Sequence, residues 1–227
     1  MEPYLLTGLI LAVAACSPKP APPAKPEPAP APAPAAAPVS TAPAGAYTID
    51  PAHTHVSFRV NHLGFSHYTA NFDRVDGKLV FDPANPAAMT VEATIDPRSL
   101  DLNAPPAGFH DELMGPMFFD AKAFPSIGFK STKVVQTGPA TADVTGDFTL
   151  HGVTKPVTLK ATFNGGWAAN AFDGNRVGFS ATGTLKRSDF GMSNGIPAPG
   201  TTMGVSDAVE FAIETELSNG TKVAAKP

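Results

Sequence analysis

The side chains best suited to chemistry are six histidines. His53-Thr54-His55 is the tightest pair, and residues two apart on a strand face one side, where both rings could share a metal ion. A metal site needs three or four ligands, and no further His or Glu stands at a supporting spacing. A His53 that bonds backbone at a strand start is the simpler reading. His62 and His67 flank a turn, and His151 opens a tight turn before Gly152. The Gly-x-Ser-x-Gly of a nucleophile elbow and the Cys-x-x-Cys-His of haem attachment are both absent from the sequence. Asp101, Asp111, Glu112 and Asp120 fall near one connection. They leave open a glycan-cleaving carboxylate pair, with a solvated acidic loop as the alternative. Arg187 and Asp189 suit a structural ion pair. No catalytic residue, metal or cofactor is therefore assigned, and the expectation is a protein that holds a molecule and is not an enzyme.

The single cysteine, Cys16, excludes an intramolecular disulfide. It closes an apolar run, Leu5 to Ala15, of signal-peptide length and too short to span a bilayer. Val13-Ala14-Ala15-Cys16 resembles the lipobox of bacterial lipoproteins, in which the cysteine becomes the acylated first residue. Residues 1–16 are thus read as a lipoprotein signal peptide with Cys16 lipidated; an ordinary small-residue cleavage site is the alternative. Ser17, where Asp would retain a lipoprotein at the inner membrane, points to a periplasmic protein anchored to the outer membrane. Met1-Glu2-Pro3-Tyr4 lacks the positive charge usual at such a start.

Residues 17–45 are Pro and Ala with scattered polar residues, and eleven prolines lie between Pro18 and Pro43. This composition buries nothing and favours polyproline II, a tether reaching about 90 Å at about 3.1 Å per residue. A net charge of −4 without a basic stripe argues against nucleic acid as a partner. Fifteen Phe against one Trp and three Tyr suggest a dry interior.

From Tyr47 the hydropathy alternates with period two. Val56, Phe58 and Val60 share a face; so do Val91, Ala93 and Ile95, and Ile127 with Phe129. Val144 to Leu150, Val157 to Phe163, Val177 to Leu185 and Val209 to Thr215 continue the pattern. With Lys78–Phe81 these make eight half-buried strands, an antiparallel barrel or sandwich. Turns are predicted at Asp82-Pro83, Asn85-Pro86, Gly138-Pro139, His151-Gly152, Asn164-Gly165-Gly166 and Asp173-Gly174. The one helical candidate is short, Asp111–Met117, in a long connection; Ser188–Val205 is a second long connection. A transmembrane barrel is disfavoured because a lipid anchor and a soluble stalk would serve it poorly.

Several phrases occur together in order: Tyr47-Thr48-Ile49-Asp50-Pro51-Ala52-His53, Val56 to Gly64, Phe118-Phe119-Asp120-Ala121-Lys122-Ala123-Phe124-Pro125, Gly146 to Val157, and Lys186-Arg187-Ser188-Asp189-Phe190-Gly191-Met192. In this spacing they resemble the YceI-like family of periplasmic lipid-binding proteins, over Tyr47 to Leu217. The resemblance implies an all-β, eight-stranded antiparallel lipocalin-like barrel over 46–227, enclosing an isoprenoid quinone or polyprenyl compound. It also implies a binding protein rather than an enzyme, in which homodimers are common. Where the family often shows Arg-Asp-x-His-Leu, this chain has Phe109-His110-Asp111-Glu112-Leu113, which favours a neutral headgroup. The ligand-binding residues expected are Val56, Phe58, Val60, Val91, Ile95, Leu113, Met117, Phe118, Phe119, Phe129, Phe148, Phe179, Phe190, Met192 and Phe211, with Met114 near the mouth. The pattern alone is better served by phenylalanines filling a solid core, and it is the resemblance that reverses this. An envelope enzyme acting on a lipid or glycan, or a ligand-free adaptor with an exposed apolar patch, are the competing functions.

Overall fold

In the computed structural model the described residues are 40–170 and 172–220. The leader with Cys16, the stretch up to Val39 and residues 221–227 lie outside them. Alternating hydropathy becomes strands β1 (Gly45–His62), β2 (Ser66–Phe72), β3 (Val75–Phe81), β4 (Thr90–Ile95), β5 (Leu100–Asp101), β6 (Ile127–Gln136), β7 (Thr141–Leu150), β8 (Val153–Trp167), β9 (Asn175–Lys186) and β10 (Val205–Asn219). All neighbours pair antiparallel, in the order β10-β9-β8-β7-β6-β4-β3-β1, and β1 returns to β10. The sheet is thereby a closed barrel whose unpaired edge, among the described residues, is the two-residue β5, which leaves little template for aggregation.

Ten segments make eight staves because two staves are broken. Residues 56–62 of β1 pair with β2 and residues 45–48 pair with β3, so β2 and β3 follow one another along β1. β4 and β5 repeat this along β3 and β2. The segment Ser66–Phe72 escaped the sequence reading, although Tyr68, Ala70 and Phe72 alternate.

Asn164-Gly165-Gly166 is not a turn. β8 continues through it to Trp167 with a register shift between Phe163 and Gly165, a bulge that leaves Asn164 unpaired. The other predicted turns fall between strands. His151 and Gly152 both take positive φ, +51° and +74°, as the two-residue β7–β8 hairpin requires. The helix, α1, spans Phe109–Met114, earlier than expected, because Gly108 at φ +80° starts it and Gly115 ends it before Pro116.

The first described residues belong to the fold. Ser40 bridges Gly166, Thr41 N donates to Gly166 O at 3.1 Å, and Ala42 is buried with Tyr47, Val177 and Leu217. The Tyr47 hydroxyl donates to Pro43 O at 2.8 Å. This strap lies at the end of the barrel where β1 begins. The opposite end carries the β1–β2 hairpin, the connection holding α1, and the segment between β9 and β10.

Candidate functional site

Phases of neighbouring strands agree, so large apolar side chains meet face to face inside. Phe58 is paired with Phe211, Phe129 with Phe148, and Phe163 with Phe179. Two glycines admit these rings: a Cβ on Gly146 would stand 2.5 Å from Phe129 Cζ, and one on Gly183 would stand 2.3 Å from Phe211 Cζ. Phe148 and Phe211 stack with planes 11° apart.

The rings do not fill the barrel. They line a cavity of about 900 Å³. Its wall runs from Met192, Asn194 and Val205 at the hairpin end to Ser40, Pro83, Gln136 and Pro139 at the strap end. β1 contributes Val56, Phe58 and Val60, and β4 contributes Val91 and Ile95; Leu113, Phe118 and Phe119 come from α1 and the residues after it. Phe129, Phe148, Phe179, Phe211 and Met192 complete the expected residues found there.

Two expected residues are elsewhere. Phe190 is buried behind the wall, its ring edge-on to Phe148 at 5.5 Å, because the η turn at Arg187–Phe190 drives it into the core. Met117 is 63% exposed and faces solvent, while Phe118 and Phe119 take the inner places. Met114, expected near the mouth, packs against the core cluster and is not among the residues that line the cavity.

The sequence reading missed Tyr68 and Phe72 with their strand, and also Phe81, Phe109, Leu159, Ala161, Phe163 and Ala181. The residues of β8 and β9 shared a phase with those chosen, and extending that phase would have found them. Phe109, the first residue of the stretch read as departing from Arg-Asp-x-His-Leu, lines the cavity.

Few polar groups reach the wall. Thr54 and Thr215 share a hydrogen bond at 2.8 Å, which satisfies both hydroxyls. Arg187, 8% exposed, does not pair with Asp189; that carboxylate lies 3.4 Å from Lys155. Instead the guanidinium donates to the carbonyls of Met192, Asn194, Val205 and Ser206 at 2.7–3.0 Å. These bonds latch the connection after β9 onto the start of β10. Burial lowers the pKa of Arg187, partly opposed by Asp207.

The histidines do not converge. His53 Nδ1 bonds the Asp50 carboxylate at 2.9 Å, not backbone. Among the described residues no group of three His, Cys, Asp or Glu could hold a metal ion. Asp101, Asp111 and Glu112 are exposed.

A profile described as the YceI-like domain matches residues 47–217. The chain belongs to the YceI-like family. A UPF0312 protein of Vibrio cholerae serotype O1 is 38% identical over 177 residues, 77% of this chain and 88% of that one. The crystal structure of Burkholderia cenocepacia BcnA matches this YceI-like chain with a TM-score of 0.62 and 28% identity, covering 74% and 98% of the two chains. A polyisoprenoid binding domain from Saccharophagus degradans, implicated in plant cell wall breakdown, shares the fold at a TM-score of 0.57 and 14% identity, covering 77% and 98%.

Proposed function

We propose that this YceI-like protein binds a long isoprenoid lipid, a quinone or other polyprenyl compound, and carries or stores it in the bacterial envelope. The observation that carries the reading is the Phe-lined cavity of about 900 Å³, near the upper end of ordinary ligand sites. Its length suits a chain, and its wall gives a chain nothing polar to lose. Each methylene removed from water contributes about 0.8 kcal/mol, so ten supply roughly 8 kcal/mol before association costs. The polyisoprenoid binding domain of Saccharophagus degradans supports the same ligand class. The stretch beginning at Phe109, read as departing from Arg-Asp-x-His-Leu, favours a neutral headgroup. The protein acts by binding and not by catalysis. Anchoring through Cys16 places it in the periplasm, at the outer membrane.

Organic extraction of protein purified from its own host, followed by mass spectrometry, is expected to recover a prenyl lipid. Ala161→Phe with Ala181→Phe puts two rings into the cavity and is expected to cut recovery at least about tenfold while the barrel still folds. An empty wild-type protein, or equal recovery from the variant, rejects the proposal.

A further inference from the structure

Two loop tips extend the β1–β10 pair beyond the barrel rim at the hairpin end. His62 and Val205 are register partners and both line the cavity. Phe65 and Met203, a few residues beyond them, are 85% and 73% exposed. The tips touch: Leu63 N donates to Gly204 O at 2.9 Å, and a Cβ on Gly64 would lie 3.0 Å from Thr202 Cβ. An aromatic ring and a methionine are therefore both exposed on two touching tips at the cavity's rim.

The turn itself is chosen against its own geometry. Leu63 and Gly64 take φ of +56° and +76°, with Phe65 N bonded to His62 O at 3.0 Å. A two-residue turn with both φ positive prefers Asn or Asp before its glycine. Leucine at that position is strained and leaves the tip reading Leu-Gly-Phe. From Phe190 to Ser206, and from Asn61 to Asn71, no Asp, Glu, Lys or Arg occurs. A tip without Asp, Glu, Lys or Arg beside a largely apolar cavity, whose Arg187 is taken up by backbone carbonyls, suits an apolar surface better than a polar partner.

Ser40, the first described residue, bridges Gly166 at the opposite end of the barrel, beside the start of β1. We propose that Leu63–Phe65 and Thr202–Gly204 form a docking edge that seats the cavity mouth on a lipid bilayer surface. Phe65 and Met203 enter the acyl boundary, His62 and His67 stand at headgroup depth, and a lipid passes into the barrel without crossing water. This gives the edge its purpose within the lipid-binding reading. Exposed Asp111 and Glu112 lie at the same end, so anionic lipid should not strengthen the contact.

The test uses the full chain with Cys16→Ser and one introduced cysteine, Met203→Cys or, as a control at the strap end, Phe172→Cys. Each carries an environment-sensitive nitrobenzoxadiazole label. Phe172 is 85% exposed too, so quenching that follows exposure alone would treat both labels alike. With phosphatidylcholine vesicles containing nitroxide-labelled lipid, position 203 should lose roughly half its emission and position 172 little. Phe65→Ser should weaken vesicle affinity about tenfold, and added phosphatidylglycerol should not restore it. Equal quenching at both positions, or at neither, overturns the proposal. So does shielding of position 203 that rises with protein concentration without vesicles, which would mark contact between copies. Binding of 1-N-phenylnaphthylamine without vesicles reports on the cavity separately. Dye bound without tip insertion refutes docking alone, whereas insertion without dye binding upholds docking and refutes the cavity reading.

Discussion

Phe211 reaches the cavity wall only because Gly183, its register partner on β9, has no side chain. Gly183→Ala would force the ring aside, and overpacking of this kind costs about 1–3 kcal/mol. The expected result is a fall in melting temperature of roughly 2–4 °C for each kcal/mol lost, in a domain of this size. An unchanged thermal midpoint would show that the ring moves freely. Both Gly146 and Gly183 fall on the apolar face in the sequence pattern, so their direction was legible. Their reason was not, since it depends on which residue of the next strand lies opposite. The same gap explains Phe190: its type matched the wall residues, and the tight turn after β9 sends it behind them.

Strands β1, β9 and β10 are also joined outside the barrel, at the strap end. Arg176 on β9 donates to Asp50 and Glu216 at 2.8 and 2.7 Å, and to Asp173. The hydrogen bond from Arg176, reinforced by His53, holds the Asp50 carboxyl down at about 2. A carboxyl depressed in the folded state stabilises the protein above its unfolded pKa, and that contribution is lost as pH falls towards the folded value. Asp50 is 19% exposed, so roughly 1–2 kcal/mol should disappear between about pH 4 and pH 2. Urea denaturation across that range is expected to show it, with Arg176→Met flattening the profile and lowering stability at neutral pH. A variant with the wild-type slope would remove Asp50 from the account. At this scale the sequence revealed most of the strands, though not β2 or β5, and most of their turns. It concealed the bulges, because the extra residues at Thr132 and Asn164 look like any strand residue until a partner skips them.

For the molecule as a whole, alternating hydropathy together with the family motifs led to eight staves and one closed barrel. Whether the barrel is hollow was not legible. An inward row of phenylalanines reads the same in a solid core, and the difference lies in how the staves tilt and how far apart their rings stand. The anchor belongs to this scale too. If Cys16 carries the membrane link, Cys16→Ser should move the protein from the membrane pellet to the soluble fraction; retention in the pellet would assign the link to another part of the chain. One consequence of the closing ladder concerns how the chain reaches its shape. Thr48 and Ser218 are neighbours in the barrel yet 170 residues apart in sequence. Contacts of such separation form slowly and late. The first stave cannot be completed until the last has been synthesised, so the nascent chain remains open for its whole length. That condition would suit the proposed export of the chain through a narrow pore before the barrel closes around its proposed lipid.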